Sequence, residues 1–431
     1  MDFSFRANEN AADLEKRVRN LFGQVHSTFG FIFEPNEKIE IDGLHLQHVV
    51  SELEAFALLD ADRDVIGDAF EELIGTAFRG GEGQFFTPRN VVQMMSNVLQ
   101  PATGERIIDP ACGSGGFLAH VAGYLIHTGT TGARIVGIEK DLFLSRLARI
   151  YLSLLGQTSF HVFCENSLEN PRKWKPETRD QAKLESFDVI LTNPPFGAKI
   201  PVVGDELLQQ YELGYDWEEK NDHWTKTKTL LDKQPPQILF IERCLQLLKV
   251  GGRAGIILPE GIFGNPSERY IWQFLQENAS VLGVVSLSQE TFQPSTHTKT
   301  SVLFLEKTKT PKKQIFMGIA DAVGHDKNGK EVYRFQPNGL PATDENGKRV
   351  LDDDLPEITR NFKAHLNGGL HKSSHLGFSL NRKAVARNVF IPEYYNPEIQ
   401  SELEALEQSG KYKLITIGKL LAEKIIEIMR G

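Results

Sequence analysis

The feature that most constrains the fold is an alternation of short β-forming runs with helical periodicities between residues 85 and about 307. Most of the β-forming runs are separated by segments whose apolar residues recur every three or four positions. Strands separated by helices pair in parallel, so the alternation predicts an α/β fold whose mostly parallel sheet is covered by helices on both faces. The predicted strands are 106 to 109, 134 to 139, 160 to 164, 187 to 192, 254 to 258, 282 to 287 and 301 to 306.

Helical periodicities are found between most of the predicted strands. Helices are predicted near residues 89 to 99, 116 to 128, 141 to 155, 237 to 249 and 267 to 278. The last two β-forming runs have no helix between them, so we expect an antiparallel hairpin at one end of the sheet. Ligands of such sheets bind at the carboxyl ends of the strands, which directs the search for functional residues to those positions.

The regions on either side of this alternation differ in character. Residues 1 to 78 are predicted to form a helical domain, with Ser51 as a helix cap, and the glycines of RGGEGQ mark its boundary. The predicted catalytic domain covers 79 to 310, a β-rich extension 311 to 390, and a helical tail 391 to 431. Within the extension, the pattern D-x-N-G-K-x-V occurs twice. Its glycine stands two positions too early for a calcium loop, so Asn-Gly hairpin turns are expected.

Composition and charge narrow the classes of function. The net charge of −9 argues against a wholly basic protein that coats nucleic acid, although a local basic face or a basic partner remains compatible with it. The apolar runs are much shorter than a membrane span, and the N-terminus has no signal-peptide pattern, so a cytoplasmic location without a membrane partner is expected. The three cysteines are widely spaced, which favours reduced core residues over a zinc site.

A glycine-rich turn follows the first predicted strand in RIIDPACGSGGF. Glycines there allow a tight turn and a close approach of the backbone to a ligand before a helix begins. The register does not suit a dinucleotide pyrophosphate; it suits a cofactor that carries an amino acid, whose ammonium group Asp109 can bind. Glu139, at the end of the second strand, is placed for the hydroxyls of a ribose, and Asn166, after the third strand, for an adenine edge.

The fourth predicted strand ends abruptly in DVILTNPPFG. Neither proline has an N–H group for a sheet, and each restricts the residue before it, so Asn193 is held rigidly at the strand end. An asparagine fixed in this way can serve as a hydrogen-bond acceptor, and the neighbouring Phe196 offers a ring face.

Together, DPACGSGGF, GQFFTPRNVV and NPPFG resemble the adenine-N6 DNA methyltransferases, and most closely the modification subunits of type I restriction-modification systems. The resemblance extends from about residue 66 to residue 383. It implies the Rossmann-like, seven-stranded methyltransferase sheet and the cofactor S-adenosyl-L-methionine. The implied cofactor-binding residues are Gln84, Phe85, Phe86, Thr87, Pro88, Arg89, Asp109, Ala111, Gly113, Ser114, Gly115, Gly116, Glu139, Asn166, Ser167 and Asn193. The implied catalytic residues are Asn193, Pro194, Pro195 and Phe196, with no metal.

The resemblance also implies a reaction and a set of partners. Asn193 and the carbonyl of Pro194 would accept hydrogen bonds from the adenine amino group, while Phe196 stacks on the base. Because a paired base cannot reach such a pocket, the substrate is expected to be double-stranded DNA with a flipped adenine. No domain of ~150 residues for reading DNA sequence follows the core, so we expect a specificity subunit and, in the complete complex, a restriction subunit as partners.

Several alternatives remain open at this point. The chain can be a truncated single-chain restriction-modification fusion, an NPP-type methyltransferase that acts on RNA or protein, or a catalytically silent assembly module. Residues 199 to 236 form either a DNA-binding insertion, with Trp217, His223 and Trp224 as contacts, or an ordered surface segment. His297 and Lys299 are further candidates for DNA contact.

Overall fold

The computed structural model describes most of the chain in seven stretches. These are residues 9 to 28, 36 to 54, 87 to 155, 159 to 197, 200 to 221, 223 to 370 and 373 to 411, with positions 6, 30, 32, 33 and 415 in addition. The glycine boundary at 79 to 84, the predicted cofactor residues Gln84, Phe85 and Phe86, and positions 412 to 414 and 416 to 431 of the predicted tail lie outside the described residues.

The strands of the described chain are numbered β1 to β13. They are β1 Arg106–Asp109, β2 Arg134–Glu139, β3 Phe160–Cys164, β4 Phe187–Thr192, β5 Val202–Val203, β6 Tyr215–Lys220, β7 His223–Leu230, β8 Lys233–Gln234, β9 Leu248–Pro259, β10 Ser280–Ser286, β11 Thr300–Glu306, β12 Gln314–Ile319 and β13 Phe378–Asn381. All seven predicted strands are therefore confirmed. The sequence analysis did not assign β5 to β8, β12 or β13, and β12 and β13 add to the predicted seven-stranded sheet.

The helices of the described chain are numbered α1 to α12. They are α1 Ala11–Thr28, α2 Gly43–Leu53, α3 Arg89–Leu99, α4 Gly116–His127, α5 Leu142–Leu154, α6 Pro176–Gln181, α7 Asp205–Leu208, α8 Pro236–Leu247, α9 Gly261–Gly264, α10 Arg269–Asn278, α11 Leu355–Leu366 and α12 Pro397–Gln408. The five helices predicted between strands are confirmed. Among the described residues, no helix is both long and apolar enough to cross a bilayer.

One prediction in the N-terminal region is wrong. Ser51 does not begin a helix; it lies in the last turn of α2, where its hydroxyl donates to the carbonyl of His48. Asp42 caps α2 instead, because its side chain accepts hydrogen bonds from the backbone N–H groups of Leu44 and His45.

The chain divides into two compact units. The first comprises Met1–Asp216 with Lys228–Ile256, and the second comprises Trp217–Thr227 with Ile257–Gly431. In the first unit the strand order is β3, β2, β1, β4, β9, and the pairs are parallel. The predicted parallel arrangement is therefore confirmed, and the carboxyl ends of β2, β1 and β4 lie side by side at one edge.

Burial explains why the first unit adopts this arrangement. Every residue of β4 is buried, as a strand with neighbours on both edges and helices on both faces requires. On α8, eleven of the twelve residues are buried, including the charged Glu242 and Arg243. This buried central layer supports the loops that leave the strand ends.

In the second unit, β10 and β11 pair antiparallel, which confirms the predicted hairpin. The hairpin does not end the sheet, however, because β12 pairs parallel with β10 and β13 pairs antiparallel with β12. The prediction failed because the run QIFMGI, which forms β12, was not recognised as a strand, although five of its six residues are buried. Phe362 of α11 stacks on Phe316 of β12 at 4.2 Å between ring centroids.

Residues 323 to 353 form successive hairpins. His325 pairs with Glu331 and Thr343 pairs with Arg349, so the two D-x-N-G-K-x-V stretches are hairpin turns as predicted. A third turn, in which Phe335 pairs with Pro341, was missed because its PNGL sequence lacks the aspartate of the other two. Each aspartate fixes its own turn by accepting two backbone N–H bonds.

Candidate active site

The predicted glycine turn is present between β1 and α4. Gly113 and Gly115 have φ angles of +54° and +92°, which L side chains rarely adopt. A Cβ on Gly115 would also lie 3.0 Å from the Cα of Ala148 on α5. Gly115 closes the turn by donating its N–H to the carbonyl of Cys112 at 2.8 Å. A side chain would therefore not fit at Gly115, whereas the space beside Gly113 is open.

Glu139, at the end of β2, is bonded to this turn. Its Oε2 accepts from the N–H of Gly113 at 2.9 Å, and its Oε1 accepts from the N–H of Asp141 at 2.8 Å. Burial raises the pKa of Glu139, and the two N–H bonds oppose that rise. Each oxygen retains acceptor capacity, so the carboxylate can receive two hydroxyl groups while it holds the glycine turn. Its predicted contact with a ribose stays a prediction.

Asp109, at the end of β1, is 1% exposed. Its Oδ1 accepts from the hydroxyl of Thr192 at 2.7 Å and from the N–H of Ala111 at 3.0 Å. Its Oδ2 is buried and has no bond within the described structure. Burial raises the pKa of Asp109 to about 7. The unbonded oxygen is the atom that remains for the predicted contact with an ammonium group.

Asn193 follows β4 directly, on the strand next to β1. Its Nδ2 donates to Oγ1 of Thr87 at 3.0 Å, and its Oδ1 is buried without a bond in the described part of the chain. An acceptor buried without a partner costs about 1 to 3 kcal/mol. Such a group is expected where a ligand supplies the missing donor.

The rest of the NPPFG loop is attached to α8 by a hydrogen bond. Pro194 is buried, whereas Pro195 is exposed and Phe196 half-buried. Gly197 has a φ of +121° and donates its N–H to Oε1 of Gln237 on α8 at 3.2 Å. Sequence reasoning missed Gln237, since no local pattern links it to a loop forty residues earlier.

The loop after β3 is fixed to the same edge. The hydroxyl of Ser167 donates to the carbonyl of Pro110 in the glycine turn, and the indole of Trp174 donates to the carbonyl of Asn166 at 2.9 Å. Ser167 is buried, so the structure gives it a contact with the turn. Trp174 lies in the basic stretch PRKWKPETR, and the hydrogen bond of its indole N–H anchors the loop after β3.

A buried cation supports this loop from α8. The guanidinium group of Arg243 donates to the hydroxyl of Tyr211 and to the carbonyl of Glu169, and it lies 5.1 Å from the centre of the Tyr211 ring. The Tyr211 hydroxyl in turn donates to the carbonyl of Leu168 at 2.7 Å. The segment 205 to 214 is therefore an ordered part of the first unit.

Thr87, Pro88 and Arg89 lie at the start of α3, and Thr87 contacts Asn193 as described. The structure thus brings together Thr87, Asp109, the glycine turn, Glu139, the Asn166 loop and Asn193 in the first unit. Sequence reasoning missed Thr192, whose hydroxyl connects the ends of β1 and β4. The only feature of the sequence that points to Thr192 is a small polar residue at the end of an otherwise apolar strand.

Other predicted contacts lie in the second unit. The ammonium group of Lys299 is 2.9 Å from Glu260 and 2.6 Å from Glu393, so two carboxylates already balance its charge. Trp217 is buried, and both Trp217 and Trp224 pack against Tyr270, at 6.0 and 6.2 Å between ring centroids. These tryptophans contribute to packing of the second unit.

The curated proteins with similar sequences include methylase subunits of type I restriction enzymes. The methylase subunit of the type I restriction enzyme EcoEI from Escherichia coli is 31% identical over 288 residues, which are 64% of this chain and 53% of that protein. This chain thus spans about half the length of the curated relatives that it matches.

Solved structures share the fold. The methyltransferase subunit of a type I restriction-modification system from Streptococcus thermophilus has a TM-score of 0.61 at 20% identity, covering 81% of this chain and 68% of that one. A class I S-adenosylmethionine-dependent methyltransferase from Listeria monocytogenes has a TM-score of 0.50 at 22% identity, covering 64% of this chain and 78% of that one. The predicted methyltransferase fold is therefore confirmed.

A family model described as N-6 DNA Methylase matches residues 61–340, which is well over half of the chain. The matched region contains the glycine turn, Glu139 and the NPPF loop. The chain belongs to the N-6 DNA methylase family.

Proposed function

We propose that this protein transfers a methyl group from S-adenosyl-L-methionine to N6 of adenine in DNA, as the modification subunit of a type I restriction-modification system. The observation that carries the proposal is the buried, unbonded Oδ1 of Asn193 beside the glycine turn. Its relatives from Escherichia coli and Salmonella are named methylase subunits of type I restriction enzymes, which supports the assignment.

The residues of the site fit the cofactor. The ammonium of its methionine moiety needs an acceptor, and Asp109 has an unbonded oxygen. The ribose hydroxyls need acceptors, and the Glu139 carboxylate has capacity for both. The turn of Gly113 and Gly115 leaves space next to the backbone. Pro88, Arg89, Asn166 and Ser167 are the further described residues that we assign to the cofactor pocket.

S-Adenosyl-L-methionine, when bound, would supply an electrophilic methyl group on sulfur. The amino nitrogen of adenine is a weak nucleophile because its lone pair is delocalised into the ring. Hydrogen bonds from that amino group to Oδ1 of Asn193 and to the carbonyl of Pro194 favour tetrahedral nitrogen, whose lone pair is free to attack. Transfer would form one N–C bond at the expense of the methyl–sulfur bond, and the nitrogen would then release one proton to solvent.

The adenine has to leave the duplex to reach Asn193. We propose that it is flipped and stacked on Phe196, since stacking of a base on an aromatic ring is worth ~1 to 3 kcal/mol. The net charge of −9 gives the chain little overall attraction for DNA, so we assign most phosphate contacts and the reading of the target sequence to a specificity subunit. A restriction subunit would complete the assembly.

Methyl transfer can be tested with tritium-labelled S-adenosyl-L-methionine and DNA from a host that lacks the modification. The chain would be assayed alone and together with the specificity subunit from its own genome, with total RNA and bulk protein as competing substrates. We expect the label in N6-methyl-2′-deoxyadenosine after digestion to nucleosides. Label in RNA or protein, or none under conditions where the cofactor binds, would contradict the proposal.

A further inference from the structure

The side-chain amide of Asn193 has two chemically opposite ends of nearly equal size. Oδ1 accepts hydrogen bonds, whereas Nδ2 only donates them. The amino group of adenine needs an acceptor to shift its nitrogen toward tetrahedral geometry. An Asn193 turned by 180° about its last side-chain bond would present N–H groups to N–H groups, so catalysis depends on which end faces the base.

One side chain in the described structure contacts the other end of this amide. Oγ1 of Thr87 accepts from Nδ2 of Asn193 at 3.0 Å, although the two residues are 106 positions apart. With Nδ2 bonded there, Oδ1 is the end left buried and unbonded. Thr87 thus holds the amide by its Nδ2 end, in the orientation that leaves Oδ1 for a donor from the substrate.

The backbone of Thr87 is itself held in place. Pro88 follows it, with a φ of −53°, and a residue before proline is restricted to extended conformations. The carbonyl of Pro88 accepts N–H bonds from Val91 and Val92 at 3.0 and 3.2 Å, which attaches the segment to α3. Val91 and Val92 are buried, so the Thr87 hydroxyl projects from a packed helix end.

We propose that Thr87 is a positioning residue that holds the Asn193 amide in place, in the orientation in which Oδ1 faces the amino group of the target adenine. This inference rests on the function proposed above. The hydrogen bond to Thr87 also polarises the amide, since donation from Nδ2 increases the negative charge on Oδ1. Thr87 therefore acts on the methyl-transfer step through Asn193, rather than by contact with substrate.

This assignment differs from the cofactor contact that the sequence resemblance implies for Thr87. A residue that binds the cofactor changes the affinity for it, whereas a residue that orients Asn193 changes the rate once the cofactor is bound. The two roles are therefore separated by comparing the Kd for S-adenosyl-L-methionine with kcat for methyl transfer.

The test uses three variants of the full chain, each assayed with the partner that the wild type needs for activity. Thr87→Val removes the hydroxyl at almost constant volume, and Thr87→Ser keeps it. Thr359→Val is the control, because its hydroxyl also makes one hydrogen bond, which goes to the carbonyl of Leu355 within α11, away from Asn193. The readouts are the Kd for S-adenosyl-L-methionine by calorimetry and kcat at saturating cofactor and DNA.

We expect Thr87→Val to lower kcat about tenfold, which corresponds to about 1.4 kcal/mol, with the Kd for S-adenosyl-L-methionine changed less than twofold. Thr87→Ser should retain most of the activity, and Thr359→Val should match the wild type. An unchanged kcat, or a weakened Kd that accounts for the whole loss, overturns the inference but leaves the proposed function intact. A wild type that binds cofactor and transfers no methyl group to DNA contradicts both.

Discussion

The hydroxyl of Thr192 donates a 2.7 Å hydrogen bond to Oδ1 of Asp109, and both side chains are buried. Asp109 ends β1 and begins the glycine turn, while Thr192 ends β4 and immediately precedes Asn193. The same oxygen accepts the N–H of Ala111 in the turn. One carboxylate therefore connects the two loops that we assign to the cofactor and to the target base.

Thr192→Val should destabilise the protein, because valine has the same shape but leaves Asp109 without one of its two bonds. A hydrogen bond to a buried acid is worth about 1 to 3 kcal/mol, and we expect a loss of that size in the free energy of unfolding. Urea denaturation measures it. Thr192→Ser, which keeps the hydroxyl, is the control and should lose less than Thr192→Val; equal stability of the valine variant and the wild type would refute the connection.

Asp109→Asn should change how stability depends on pH. The pKa of Asp109 is raised by burial from 3.8 to about 7, so in that range the folded protein holds a proton that the unfolded chain has released. The contribution of Asp109 to the free energy of unfolding is greatest below about pH 4 and is lost as the pH rises toward 7. Asparagine keeps the acceptor for Thr192 and Ala111 but does not titrate.

The measurement is urea denaturation of both proteins without cofactor at pH 5 and pH 7.5. Relative to Asp109→Asn, the wild type should lose about 1 to 3 kcal/mol between the two pH values. Taking the difference removes the contribution of groups that both proteins share, such as Glu139. A difference between the two proteins that stays constant with pH would show that Asp109 does not titrate in this range.

The strands and helices of the first unit were predictable because most of the strands are short apolar runs, rich in β-branched residues, that alternate with helical periodicities. β12 was missed, although five of its six residues are buried, because no helix precedes it to mark it as part of the alternation. Its pairing with β10 depends on residues far away in sequence. Single-sequence periodicity carries no information about such pairing.

The site was predictable where it follows strand ends. The glycine turn, Glu139 and Asn193 occupy the carboxyl ends of three neighbouring strands, where parallel sheets bind ligands. Thr87, Thr192 and Gln237 act through hydrogen bonds to partners 106, 83 and 40 positions away. Only the fold brings those partners together, so their roles in positioning were not readable from spacing.

Glu139→Gln should weaken cofactor binding and loosen the glycine turn together. Both carboxylate oxygens accept backbone N–H bonds, and glutamine replaces one oxygen with an NH₂ group that cannot accept. One N–H, of Gly113 or of Asp141, then loses its partner. We expect the Kd for S-adenosyl-L-methionine to rise about tenfold or more.

Calorimetry with S-adenosyl-L-methionine checks this expectation. Glu206→Gln is the control, because Glu206 is an exposed residue of the first unit that pairs with Lys173. It should bind the cofactor as the wild type does. If Glu139→Gln bound the cofactor with unchanged affinity, Glu139 would have no part in the pocket.

Asn193→Ala should abolish methyl transfer and leave cofactor binding intact. The substitution removes the acceptor Oδ1 and keeps the prolines that shape the loop, so the cofactor pocket next to it is preserved. Loss of one preorganised hydrogen-bonding group in an active site costs about 10²- to 10³-fold in rate.

Single-turnover transfer of labelled methyl to DNA at saturating cofactor measures the loss, and calorimetry measures binding. Asn97→Ala, on the exposed side of α3, is the control and should be fully active. Loss of cofactor binding in Asn193→Ala would show that Asn193 acts in binding the cofactor and would contradict the catalytic role proposed for it.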